Sequence, residues 1–141
     1  MKAGLNCVLC ADIHLDENAF SHKVAEFEHT YVRLPKNQYL RGWTIVALKR
    51  HANELFELTD SELRAFWRDV ACVAEAIDRL YRPAKINYAV LGNLCPHVHC
   101  HLVPRTVEDD PRKPLNMNDE VVLLTPDEYR LAICALRKAL R

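Results

Sequence analysis

Three histidines at alternate positions, His97, His99 and His101, stand in the run Pro96-His97-Val98-His99-Cys100-His101-Leu102-Val103-Pro104-Arg105. The chain has seven histidines, and these three fall within five residues. Side chains of an extended strand alternate between faces, so the three imidazoles are expected on one face and Val98, Cys100 and Leu102 on the other. Groups whose charge changes near neutral pH, clustered in this way, suit a metal site or proton and nucleophile chemistry. One catalytic zinc held by all three is awkward, because they spread over about 13 Å of strand. Divided labour fits better. A neutral middle imidazole attacks phosphorus well when its other nitrogen donates to a fixed acceptor, and a neighbouring histidine can hold the phosphoryl oxygens.

A second group of candidates lies near the N-terminus. Cys7-Val8-Leu9-Cys10 has the spacing with which two thiolates grip one zinc from a tight turn, leaving two ligands to be found. His14, four residues after Cys10, is one candidate. A redox pair would need a strand before it and a helix after it, and neither is evident. Two buried cysteines with no ligand are the plain alternative.

The elements that must position these residues are legible in outline. Residues 28–34 and 43–49 are apolar, β-branched segments separated by a loop through Pro35 and Gly42, and they predict two paired strands. Thr59-Asp60-Ser61-Glu62 is a capping box. Behind it Leu63, Phe66, Trp67, Val70, Ala74, Ile77 and Leu80 recur at helical spacing until Arg82-Pro83, which predicts a helix over 60–80. Residues 86–91 predict a strand, Gly92-Asn93-Leu94-Cys95-Pro96 a turn, and the histidine segment a strand returning beside it. Residues 109–118 are polar and predict a loop. Thr125-Pro126-Asp127-Glu128 starts a last helix with Tyr129, Ile133, Leu136 and Leu140 as its buried stripe. Cys72 and Cys134 fall on helices and read as small buried hydrophobes. Each of the three glycines is expected at a turn. Strand pair, long helix, strand pair and terminal helix together predict an α+β domain on an antiparallel sheet.

Composition narrows the function. The 141 residues are 50% hydrophobic and 27% charged, as in an ordinary globular protein of one domain, expected here over 1–141. Basic and acidic residues number 19 each, so neither a nucleic acid nor a membrane surface is an expected partner. No apolar stretch approaches the roughly 20 residues of a membrane span, and the segment from Met1 to Asn6 lacks a signal-peptide core; a cytoplasmic location is expected.

His97-Val98-His99-Cys100-His101-Leu102-Val103 resembles the signature of the histidine triad (HIT) superfamily. The resemblance extends over roughly residues 5–115. It takes in Gly42-Trp43-Thr44-Ile45-Val46, Lys49-Arg50-His51, Leu55-Phe56-Glu57-Leu58-Thr59, Leu91-Gly92-Asn93 and Asp109-Asp110-Pro111-Arg112, and looks like the diadenosine tetraphosphate hydrolase-like branch. It implies a HIT-like antiparallel sheet of about five strands, one long central helix and a C-terminal helix. It implies a nucleotide hydrolase of the dinucleoside polyphosphate or nucleoside phosphoramidate type, in which His99 attacks an α-phosphate to give a covalent nucleotidyl-histidine. His101 would contact the phosphate, and the backbone of His97 would orient His99. A nucleotidyl transferase or phosphorylase, or a nucleotide-binding partner module with little turnover, are the other functions it admits.

The family's usual Gln-Ser or Gln-Thr pair before the triad is missing, which leaves Asn93 as the phosphate donor of the short turn. Its acidic ribose contact is also missing, with Asn37 the nearest polar substitute. Some members bind structural zinc through a cysteine pair and two histidines; carried onto this chain, the ligands are Cys7, Cys10, His51 and His97. No organic cofactor is implied. A homodimer formed by joining sheets is the assembly the resemblance suggests.

Overall fold

The computed structural model describes residues 6–113, 115 and 120–140. In chain order the elements are α1 (Val8–Asp12), β1 (Ser21–Glu26), β2 (Thr30–Pro35), β3 (Thr44–Leu48), a 3-10 turn at Leu55–Glu57, α2 (Asp60–Tyr81), β4 (Lys85–Ala89), β5 (His99–Arg105) and α3 (Pro126–Ala139). The strands make one five-stranded sheet in the order β1-β2-β3-β5-β4, with every neighbouring pair antiparallel. This is the expected α+β architecture. The two expected pairs are β2–β3 and β4–β5, and the β3–β5 ladder joins them.

Two elements go beyond the sequence reading. β1 shows no apolar alternation: its buried residues are Ser21 and Val24, and a bulge between Lys23 and Ala25 shifts its register against β2. α1 has five residues, too few for a helical period to show.

Both long helices start where their capping boxes predict. Thr59 Oγ1 accepts from the Glu62 amide and the Glu62 carboxylate accepts from the Thr59 amide, and Thr125 and Glu128 do the same for α3. α2 ends at Arg82, whose left-handed backbone (φ 49°) turns the chain into Pro83. Phe66, Val70, Ala74 and Ile77 of its predicted stripe are buried, whereas Trp67 and Leu80 form the exposed rim. In α3, Tyr129 and Leu136 are buried. The cysteine reading needs correction, since Cys134 is exposed and Cys72 only half-buried. Cys134 lies about 100° or more around α3 from buried Tyr129, Ala132 and Leu136, whereas Cys72 stands one turn before buried Ala76 at the margin of the buried face of α2.

Of the glycines, Gly42 and Gly92 occupy turns at φ +89° and +110°, while Gly4 lies outside the described residues. At Gly42 a Cβ would also come within 3.0 Å of Tyr81 and Pro104, so the turn into β3 sits close against the sheet. The predicted loop over 109–118 is bends and turns through residue 113, and Pro114 and residues 116–118 lie outside the described residues. No helix among the described residues is long and apolar enough to cross a membrane.

The two faces of the sheet differ in composition. One face carries Val32, Leu34, Val46, Leu48, Cys100 and Leu102, and these pack with α2 and α3 into the main core. Register places Arg33, Ile45, Ala47, His99 and His101 on the other face. The N-terminal segment covers part of that face, held by Arg33, which is 2% exposed. Its guanidinium donates to Ser21 Oγ (2.9 Å), the Ser21 carbonyl (3.0 Å), the Ile13 carbonyl (2.8 Å) and the Leu15 carbonyl. A buried arginine bonded only to neutral oxygens acts as a clamp for the chain immediately after α1. Replacing it by methionine, which keeps the apolar stem, leaves three carbonyls and a hydroxyl without their donor. Urea denaturation of R33M is expected to show a loss on the order of 3 kcal/mol. Hydrogen exchange in residues 7–15 should rise in parallel, and a loss under 1 kcal/mol with unchanged exchange would show that the clamp is dispensable.

Candidate functional site

His99 and His101 lie within β5, and their register partners on β3 are Ala47 and Ile45. Their rings stand on one face, as alternation predicts, with centroids 4.9 Å apart and edge-on at 70°. His97 departs from the row. It precedes β5 in a bend, where its amide donates to the Cys95 carbonyl at 2.8 Å, and its ring is 1% exposed.

Each polar atom of His97 has a direction. Nε2–H donates to the Leu48 carbonyl at 2.6 Å, at the end of β3. That fixes Nδ1 as the lone-pair nitrogen, and Nδ1 lies 3.4 Å from both Cys7 Sγ and Cys10 Sγ. The carbonyl of His97 accepts from His99 Nδ1–H at 2.5 Å, so His99 carries its lone pair on Nε2.

The cysteine pair reaches this point because α1 begins at it. Cys7 caps α1, its Sγ accepting from the Cys10 amide at 3.4 Å. His51 arrives from the other side, on the segment after β3. Arg50 fixes that segment through paired bonds of 2.7 Å to Glu62 and one of 3.0 Å to the Glu57 carbonyl. The Arg50 pair and the Thr59 amide hold the Glu62 carboxyl down to about 2. His51 Nδ1 sits 3.3 Å from Cys10 Sγ, and its Nε2–H donates to Asn53 Oδ1 at 2.7 Å.

Cys7, Cys10, His51 and His97 therefore present four ligand atoms within 4.8 Å of one another, and the set can hold a metal ion. Both histidines turn Nδ1 toward the cluster and anchor Nε2–H on an oxygen, the outer contact that orients metal-binding imidazoles. Burial pushes the Cys10 thiol up to about 11, reinforced by Cys7 and by the charges of Cys7 and Cys95. Burial works the same way on Cys7, but hydrogen bonds led by the Cys10 amide outweigh it and hold that thiol low. A cation among them would relieve the repulsion between two thiolates. His14 is not part of the group: it is exposed beyond α1.

The remaining candidates lie apart from this cluster. Asn93 sits in the exposed bend between β4 and His97. The Asn37 side chain is occupied with the backbone, its Oδ1 accepting from the Tyr39 and Val122 amides and its Nδ2 donating to the Glu120 carbonyl. It ties the loop after β2 to the segment before α3. Three neighbours of the site escaped the sequence reading. Cys95 Sγ is 3.7 Å from Cys7 Sγ, Arg33 clamps the covering segment, and Trp43 Nε1–H donates to His101 Nδ1 at 3.1 Å. Alternation along β3 could have placed Trp43 beside His101; nothing in spacing pointed to Cys95.

Burial pushes all three triad histidines toward the neutral form. His101 is pushed down to about 4 by burial and by neighbouring His99. His99 is lowered by burial against the opposing effect of its bond to the His97 carbonyl, and His97 by burial chiefly. A neutral imidazole with a fixed tautomer and an open Nε2 can attack an electrophile with no prior loss of a proton.

Comparison with known proteins gives this geometry its context. A curated relative from Bacillus subtilis, "Protein hit", is 30% identical over 115 residues, covering 78% of each chain. The asymmetrical bis(5'-nucleosyl)-tetraphosphatase of Schizosaccharomyces pombe is 31% identical over 75 residues, which is 50% of this chain and 41% of that one. Among solved structures, the fold is similar to that of a zinc-bound histidine triad family protein from Mycobacterium smegmatis. Its TM-score is 0.66 and its identity 24%, with 96% and 93% of the two chains covered. The model of the HIT domain matches residues 16–108, which span β1 to the end of the histidine strand. With that match over most of its length, the chain belongs to the HIT domain family.

Proposed function

We propose that the protein is a nucleotide-binding hydrolase that works through a covalent nucleotidyl intermediate on His99. The observation that carries the reading is the 2.5 Å bond from His99 Nδ1–H to the His97 carbonyl, which commits Nε2 as the nucleophilic lone pair. In the first step Nε2 forms a bond to the α-phosphorus of a dinucleoside polyphosphate or nucleoside phosphoramidate. The bond from phosphorus to the leaving group breaks, and that group takes a proton from solvent. The His97 carbonyl stabilises the positive charge that grows on the imidazole. In the second step water attacks phosphorus, the N–P bond breaks, and His99 returns to its neutral form as the water's proton leaves. His101 contacts the phosphoryl oxygens throughout, and Asn93 is the nearest donor on the turn. The partial match to a bis(5'-nucleosyl)-tetraphosphatase supports the dinucleoside polyphosphate member of this pair.

The Cys7, Cys10, His51 and His97 cluster is proposed to bind zinc. Two thiolates and two imidazoles make a complete tetrahedron with no open position, so the ion would supply structural cross-linking alone. It would fasten the N-terminal segment and the turn after β3 to the start of the histidine strand.

Two outcomes are expected. H99A should retain the fold by circular dichroism and lose at least about 10³-fold in turnover of adenosine phosphoramidate and diadenosine tetraphosphate. Acid quenching of the active protein with labelled substrate should trap an acid-labile adduct on His99; full activity in H99A would remove the assignment. Elemental analysis of protein purified without chelators should find close to one zinc per chain, and C7S should fall well below that with a lower Tm. Metal-free wild-type protein would contradict the zinc reading and leave the His99 reading standing.

A further inference from the structure

His101 is the triad member whose tautomer is not set by the backbone, and the side chain that reaches it is Trp43. An indole has one polar group, a donor, so the nitrogen it touches must accept. Trp43 Nε1–H lies 3.1 Å from His101 Nδ1, and the two rings are 5.6 Å apart at 43°. We infer that Trp43 is a positioning residue, which locks His101 as the Nε2–H tautomer and so presents a donor to the phosphoryl group beside His99.

The placement of Trp43 is built. It stands two residues before Ile45, the register partner of His101, and so on the same face. It is 8% exposed. Gln38 holds the turn before it, donating from Nε2 to the Pro35 and Trp43 carbonyls at 2.9 and 3.0 Å and accepting the Gly42 amide at 3.0 Å. Gly42 supplies the positive φ that lets the chain enter β3 against Tyr81 and Pro104. The indole therefore has little room to swing away.

The result is a pair of adjacent imidazoles locked in opposite tautomers. His99 donates from Nδ1 to a carbonyl and leaves a lone pair on Nε2; His101 accepts at Nδ1 and leaves a proton on Nε2. Nucleophile and phosphate donor are thereby distinguished without any charged side chain. Burial of His101 supports this, because a neutral ring can exist in either tautomer and needs a partner to choose one. The catalytic part of the inference rests on the hydrolase reading, while the tautomer stands on geometry alone.

Nitrogen-15 NMR of the histidine rings tests the tautomer without any substrate. Wild-type protein is expected to show His101 protonated at Nε2 only, with a downfield, slowly exchanging Trp43 indole proton. Protonation of His101 at Nδ1, or a freely exchanging indole, would overturn the inference even if W43F failed to fold. In folded W43F, His101 is expected to become a mixture of tautomers, with kcat for adenosine phosphoramidate falling about tenfold and KM nearly unchanged. An unchanged tautomer in W43F would overturn the inference. A wild-type protein with the expected tautomer and no turnover would instead remove the hydrolase reading and the catalytic consequence, leaving Trp43 as the residue that sets the ring.

Discussion

The ring and carbonyl of His97 join three regions that are remote in sequence. Nε2–H is committed to the end of β3, Nδ1 to Cys7 and Cys10, and the carbonyl to His99, while its amide closes on Cys95. A buried histidine with one unpaired nitrogen would be costly, and each of these contacts fixes where the others can lie. Because Leu48 holds one side of the ring, the lone pair can only face the cysteines. Because the ring is held there, the following carbonyl is in place to choose the tautomer of His99. The cluster at the N-terminus and the imidazole chemistry on β5 are thus mechanically one unit.

This unit lies on the sheet face away from the long helices, which has an energetic consequence. The helical face closes over Phe66, Val70, Ile77, Leu102 and Leu136, and its buried hydroxyls Thr30 and Thr44 donate to Asp69 and to the Gly42 carbonyl. The other face buries Arg33, Trp43 and His97 and half-buries His99 and His101, and it satisfies them with backbone oxygens and with one another. Burying polar groups without partners would cost about 1–3 kcal/mol each, so the bonds of Arg33 and Trp43 are requirements of covering this face as much as functional devices. The result is a site whose three rings favour neutrality, next to a face that supplies the stability.

Much of the fold was legible because its signals are local. The capping boxes at Thr59 and Thr125 name the first residues of two helices, and the Arg82-Pro83 break names an end. The alternation of His99 and His101 survives because β5 is regular there. β1 was not legible, since a bulge and the buried Ser21 and Val24 erase its alternation. The placement of His97 ahead of the strand was hidden too: a bend enforced by the Cys95 carbonyl carries no hydrophobic period. For the site, the ligand set Cys7, Cys10, His51 and His97 came through family resemblance, because the two halves are 41 residues or more apart and only the fold brings them together. Asn37 read as the nearest polar substitute for an acidic ribose contact, whereas its amide is bonded to the Tyr39 and Val122 amides and the Glu120 carbonyl, stapling the segment before α3. The difference is tertiary pairing, which residue type does not carry.

The short turn from Gly92 to Pro96 also takes on a meaning that its length alone did not give. A longer loop would leave room for more polar side chains after β4, but it would also loosen the chain just before His97. Here five residues suffice, with Gly92 at φ +110° reversing the backbone and the Cys95 carbonyl capturing the His97 amide. That places Cys95 Sγ against Cys7 Sγ at 3.7 Å, so the turn is stitched to α1 as well as to β5. Rigidity at His97 is gained where polar contacts are given up. With the His97 amide held by Cys95 and its ring by Leu48, the carbonyl that accepts from His99 Nδ1–H is fixed from both sides, so the tautomer of His99 follows from the turn as much as from the strand.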